Sequence, residues 1–285
     1  MPIHTQNYRH WEGTLNPQNR TRWWVIAKAE LKILAKRKIV RLIVAIPPII
    51  YFLVHAILIY LGNLFENIPL PFEIDPGFFQ SYLFRMPDLS GFLVAIISIF
   101  GGAGLIADDL RSNALSLYLS KPITWYDYLI GKFIVVGTLL VCLTLIPGLL
   151  LFLEHTLLAD FTFFKEHYWV IFSIIIYSAI ITVITSLLML FFSSLTTNSR
   201  YATIGFCAVW FGLPVIALIL REAFSMSTVS IVSIWANYDI LGSVLFGESP
   251  DFDIHWVWTI LVLSALTAAC LFVLHLRIRA VQIVK

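Results

Sequence analysis

Residues 169–192 read WVIFSIIIYSAIITVITSLLMLFF, twenty-four consecutive positions without a charged side chain. A helix of that length is about 36 Å long at 1.5 Å per residue, and the hydrocarbon core of a bilayer is about 30 Å thick. The stretch is therefore a membrane span. Working outward, four further clear runs of about twenty apolar residues lie at 42–62, 89–107, 133–153 and 256–276. A sixth, 201–220, carries Pro214, which is expected to bend that span without ending it, because neighbouring helices satisfy the freed carbonyl. With 59% hydrophobic and 13% charged residues and a mean hydropathy of +0.87, the 285 residues have too little polar surface to cover a soluble globule. Cys142, Cys207 and Cys270 each stand alone in an apolar run, which excludes a disulfide framework and a zinc cluster.

Six spans put both termini on one side, and the charges say which. Sixteen of the nineteen Lys and Arg residues fall before the first span, between the second and third, around Arg200, or in the tail. The opposite loops keep Arg85, Lys165 and Arg221 and hold most of the acids, among them Glu66, Glu73, Asp75, Asp160, Glu248, Asp251 and Asp253. Lys and Arg near span ends are retained in the cytoplasm, so both termini are expected there.

Residues 224–246 test that count, because they are long enough to span and a seventh crossing would invert the tail. Asp239 argues against it: a carboxylate at mid-helix costs about 2.5–3.5 kcal/mol on insertion, and Asn237 with six Ser and Thr residues weakens the segment further. It reads as a re-entrant or interfacial helical hairpin on the outer side. The expected architecture is an all-α integral membrane protein with a cytoplasmic N-terminus (1–41), a six-helix transmembrane domain (42–276) and a cytoplasmic tail (277–285). Within it lie a cytoplasmic loop at 108–132 and an outer re-entrant segment at 221–255.

The first forty residues lack the apolar core and cleavage site of a secretory leader. Instead, residues 21–41 (TRWWVIAKAELKILAKRKIVR) set Trp23, Trp24, Ala27, Leu31, Leu34 and Ala35 on one helical face and Lys28, Lys32 and Lys36 on the other. Such a helix lies flat in the headgroup layer, its tryptophans anchoring it and its lysines meeting anionic lipid. Membrane anchoring and contact with a cytoplasmic partner are both open to it.

Chemistry within the spans is sparse. His55 stands near the middle of the first span, where packing through a hydrogen bond competes with any ligand role; ion pumps use relays of several such groups. The sequence carries no HExxH, no GxSxG and no Walker A loop, since Gly131-Lys132 lacks the upstream glycine and the following Ser or Thr. No nucleic-acid partner and no metal is expected. Glu154, His155, Asp160, Glu166 and His167 cluster on the outer side at spacings that fit a solvated loop better than a metal site. Gly101, Gly102 and Gly104 end the second span as a close-packing surface.

The longest polar interruption on the basic side is Asp108–Lys132, DDLRSNALSLYLSKPITWYDYLIGK. Leu110, Leu115, Leu117 and Leu119 alternate with polar residues, Pro122 ends the pattern, Trp125 and Tyr126 re-enter the interface, and Lys132 is expected to snorkel from the start of the third span. The segment reads as a short amphipathic helix at the cytoplasmic interface, with a plain solvated connector as the alternative.

This loop resembles that of the permease subunits of type-2 ABC transporters. There the second span ends in an acidic residue followed by leucines, Ser-x-Pro and, a few residues on, Gly-Lys. Here Asp109, Leu115, Leu117, Leu119, Ser120, Lys121, Pro122, Gly131 and Lys132 stand at matching spacing. Asn113-Ala114 replaces the usual Gly-Thr, and Ser116 replaces a Glu. The interfacial helix, six spans and re-entrant hairpin fit the same plan.

The resemblance implies a non-enzymatic permease, an exporter in the cell inner membrane, paired with a second copy or a homologous permease and driven by two separate ATPase subunits. ATP and Mg would be bound in those partners, with no cofactor in this chain. It also implies that the loop is the coupling element, with Asp108, Asp109, Arg111, Asn113, Leu117, Tyr118, Lys121 and Pro122 at the ATPase. Lys28, Lys32 and Lys36 of the interfacial helix would form a second contact. The substrate-binding residues are not identified by it. A non-catalytic membrane scaffold or assembly factor is the competing function class.

Overall fold

In a computed structural model the described residues are 22–64, 74–85, 89–114, 123–159, 161–224 and 227–283, and among them no strand occurs. The chain begins with α1 (Arg22–Lys36) and, after a break at Arg37, α2 (Lys38–Leu64). Helix α3 (Pro76–Phe84) starts where Asp75 accepts a hydrogen bond from the Phe78 amide and Pro76 occupies the first turn, a combination that suits a helix start. It closes at Arg85 in extended backbone (φ −136°, ψ 148°). Helix α4 (Leu89–Gly102) and the short α5 (Ala107–Arg111) complete the second apolar unit.

The third unit is α6 (Trp125–Leu143) followed by α7 (Leu145–Leu158). Thr124 and Asp127 form a reciprocal capping box, which fixes the start of α6 eight residues before the expected 133. After α8 (Phe161–His167) come α9 (Trp169–Leu195), α10 (Ser199–Cys207) and α11 (Leu213–Phe224). The chain ends with α12 (Ile234–Phe246) and α13 (Trp256–Ile283).

Six stretches are long and apolar enough to cross a membrane: Val40–Leu64, Pro76–Arg111, which runs over positions outside the described residues, Trp125–Leu158, Trp169–Leu195, Ser199–Phe224 and Trp256–Ile278. The architecture is that of an all-helical, multi-pass membrane protein. The second and fourth stretches are the most enclosed and the first the least. Glycines let α4 sit deep in the bundle: a Cβ on Gly102 would meet Met189 Cγ of α9 at 2.6 Å and Val136 Cγ2 of α6 at 3.1 Å.

The fifth span runs on through Pro214. Residues Ala208–Gly212 form a π-helical turn just before it, and the wider turn accommodates the proline ring and its missing N–H. Trp210, fully buried within this turn, donates its indole N–H to the Gly91 carbonyl at 3.1 Å. Between the fifth and sixth spans, Ser227–Val232 forms a 3-10 helix and α12 follows, capped by Ser233 and ended by Gly247 at φ 75°. Its thirteen residues cover about 20 Å, short of a crossing, and Asp239 within it is buried in protein.

Candidate functional site

Three charged groups far apart in sequence meet at the start of α6. Lys132 Nζ lies 2.6 Å from Glu30 Oε1 of α1 and 2.7 Å from Asp109 Oδ2 of α5. The Tyr128 hydroxyl donates to the same Asp109 oxygen at 2.8 Å. Tyr128 and Lys132 stand four residues apart and therefore share one face of α6. Both are fully buried, whereas the Glu30 and Asp109 side chains keep 15% exposure. One cation thus ties α1, the exit of the second span and the entry of the third.

This corrects the expectation that Lys132 snorkels. The capping box starts α6 two turns earlier, which places Lys132 inside the helix, and α1 covers it. Gly131 makes that cover possible: a Cβ there would fall 2.9 Å from Ile26 Cβ and 3.0 Å from the Trp23 carbonyl oxygen. Gly131 admits the backbone of α1, and Lys132 then bonds to it.

The inward stripe of α1 runs through Trp23, Ile26, Ala27, Glu30, Leu31 and Leu34, spaced at three and four residues. Trp23, Ala27, Leu31 and Leu34 lie on it as expected. Trp24 and Ala35 lie outside it, because Glu30 and Ile26 are drawn to Lys132 and Gly131 and rotate the helix accordingly. Lys28, Lys32 and Lys36 are exposed on the opposite side.

A second device holds the end of the second span. Its regular helix stops at Gly102 and resumes at Ala107. In the gap, fully buried Ser193 of α9 donates to the Ala103 carbonyl at 2.9 Å and accepts from the Ile106 and Ala107 amides at 3.0 Å each. One donor and two acceptors are the full capacity of a hydroxyl. Ser193→Ala is expected to leave these three buried backbone groups unpaired and to lower stability by about 3 kcal/mol or more, given about 1–3 kcal/mol for each. Thermal unfolding of the solubilised chain checks this.

Beyond Ala107 the side chains diverge. Asp108, Arg111 and Asn113 are exposed, whereas Asp109 turns inward to Tyr128 and Lys132. Asn113 ends this stretch in the left-handed region at φ 53°, a conformation that asparagine tolerates better than most residues. Leu117, Tyr118, Lys121 and Pro122 lie outside the described residues.

Polar groups elsewhere serve packing among the described residues. His55 donates from Nδ1 to the Tyr51 carbonyl (2.9 Å) and packs at tilted and edge-on angles among Tyr51, Phe78 and Tyr82. His155 pairs with Asn63 at 3.0 Å, and His167 stacks on Phe163. Sequence reading missed a buried network on the other side of the molecule: Gln80 of α3 donates to the Asp239 carbonyl at 3.2 Å and reaches its carboxylate at 3.5 Å. Tyr177 donates to the Phe84 and Tyr238 carbonyls. The signal for it was Asp239 itself, whose cost in an apolar segment demanded a partner.

No family model matches the chain, and no curated protein does.

Proposed function

We propose that this chain is the membrane-spanning permease subunit of a type-2 ABC transporter, an exporter whose work comes from two partner ATPases carrying ATP and Mg. The observation that carries the reading is the buried Lys132 pair with Glu30 and Asp109. It fastens both ends of the Asp108–Lys132 loop to one another and to α1, so a push on the loop is delivered to the second and third spans together. A solvated connector has no need of such a fastening. Rigid-body rocking of the bundle would then alternate access to the two sides.

In this role Asp109 positions the loop from inside, while exposed Asp108, Arg111 and Asn113 face the ATPase. The position where the family carries glycine is Asn113, and its left-handed backbone supplies a physical reason for either residue. Helix α1 would lie in the cytoplasmic interface: exposed Trp24, Val25 and Ile33 border the lysine row, as lipid contact requires. Residues 224–246, within the outer segment 221–255, would form the re-entrant hairpin, supported by the short α12 and its buried Asp239. Both termini would be cytoplasmic on the inner membrane, a second permease copy or homologue would complete the path, and the substrate would be amphiphilic.

The first check is whether an adjacent reading frame encodes an ABC ATPase; the test is co-expression with such an ATPase, followed by copurification and ATP turnover for the wild type and for Asp109→Ala/Arg111→Ala. Copurification with the wild type and a loss of assembly or turnover of about tenfold or more in the variant is expected, the scale at which removal of charge-assisted contacts is felt. Unchanged assembly and turnover would sink the coupling role, and failure of any ATPase to associate would favour a scaffold.

A further inference from the structure

A cavity of about 590 Å³ opens beside the end of the second span, on the same side as the Lys132 cluster. Its polar wall carries Arg37 and Lys38, from the corner between α1 and α2, and Arg200 at the start of α10. Opposite them stands one carboxylate, Asp108, and the remaining wall includes Ile99 and Phe100 of α4. Three cations against one anion leave the cavity strongly positive. Among the described residues none of the three cations has a carboxylate within ion-pair distance. The N-termini of α2 and α10 border the same space, and helix N-termini add further positive potential there.

We propose that this cavity binds the phosphate of an anionic phospholipid from the leaflet on the basic side. The charges supply the anion specificity, because Arg and Lys grip phosphate oxygens through charge-assisted hydrogen bonds. The apolar wall supplies the lipid specificity. Ile99 and Phe100 belong to an apolar span, and Phe100 is 39% exposed, so the cavity sits where headgroups meet hydrocarbon. A soluble acidic protein would gain nothing from that wall. Asp108, which shares the cavity, directly precedes Asp109 of the ion cluster, so a bound headgroup would rest against the entry to the loop. The binding claim does not depend on a partner ATPase.

The experiment measures retention of radiolabelled phosphatidylglycerol by the full chain in a non-ionic detergent, with phosphatidylcholine and glycerol 3-phosphate as competitors. Arg37→Gln/Lys38→Gln/Arg200→Gln is expected to weaken binding by about tenfold or more, and Asp108→Asn to tighten it several-fold. Removal of the same charge from the surface row, Lys28→Gln/Lys32→Gln/Lys36→Gln, should have a much smaller effect. Phosphatidylcholine should compete poorly. Weak competition by glycerol 3-phosphate supports a lipid source, whereas competition equal to that of the lipid reassigns the site to a soluble phosphate and overturns the lipid claim. Equal losses from the cavity and surface-row variants, or an unchanged Asp108→Asn affinity, would overturn the site. The Asp108→Asn arm decides the matter if the triple variant does not fold. Loss of a copurifying ATPase with lipid retention unchanged would assign the cations to a protein partner instead.

Discussion

Replacing Lys132 with Met is expected to destabilise the chain by about 3–5 kcal/mol, the cost of leaving partners of a buried ion pair uncompensated. The cation is fully buried and serves two carboxylates at once. Without it Glu30 and Asp109 face one another in a site with little access to water, and like charges in such a site repel. The energy belongs to the imbalance more than to the pair itself. Accordingly Lys132→Met/Glu30→Gln/Asp109→Asn should recover most of the loss, since replacing a whole buried ionic group is often near neutral. Thermal unfolding followed by tryptophan emission reads both variants. Equal instability of the single and triple variants would show that Lys132 acts through packing of its stem, not through its charge.

Gly131→Val attacks the same junction by volume. A single Cβ already falls 2.9 Å from Ile26 Cβ and 3.0 Å from the Trp23 carbonyl, and valine adds two more carbons. Because one of the obstacles is backbone, no side-chain rotation relieves it, and α1 must move away from α6. Overpacking of this kind costs ~1–3 kcal/mol, to which the loss of the Lys132–Glu30 contact is added. Undocking should expose the bonds after Lys28, Lys32 and Lys36. Limited trypsin digestion should therefore cut Gly131→Val rapidly within 28–37, cut Gly131→Ala at an intermediate rate, and spare the wild type. Similar digestion of all three would mean that α1 does not depend on Gly131 for its seat.

The spans were legible because the bilayer imposes a length. Six runs of about twenty apolar residues correspond to six helices, with ends extended where local capping prolongs them, as Thr124 and Asp127 do for α6. The lysine row of α1 was legible from periodicity. So were Trp23, Ala27, Leu31 and Leu34 of its inward face, but the place of Glu30 on that face was not, because it depends on Lys132, 102 residues away. A clue was present in the sequence: Glu30 is the one acidic residue in the basic stretch 21–41 and stands opposite Lys28, Lys32 and Lys36. Read together with Gly131-Lys132, it points to docking against the third span. Ser193 was hidden for another reason. A serine in an apolar span has many bland uses, and its role appears only when the break in the neighbouring helix at Ala103–Ile106 is known.

The central claim is that the exposed turn after the second span docks on a partner ATPase. A photo-crosslinking amino acid placed at Arg111, which is exposed and outside the Lys132 cluster, tests it in the assembled complex, with Lys165 on the opposite side as the reference position. The expected result is a cross-link from position 111 to the ATPase subunit, identified by mass, and none from position 165. An assembled complex that yields no cross-link from 111, or equal cross-links from both positions, would contradict the account.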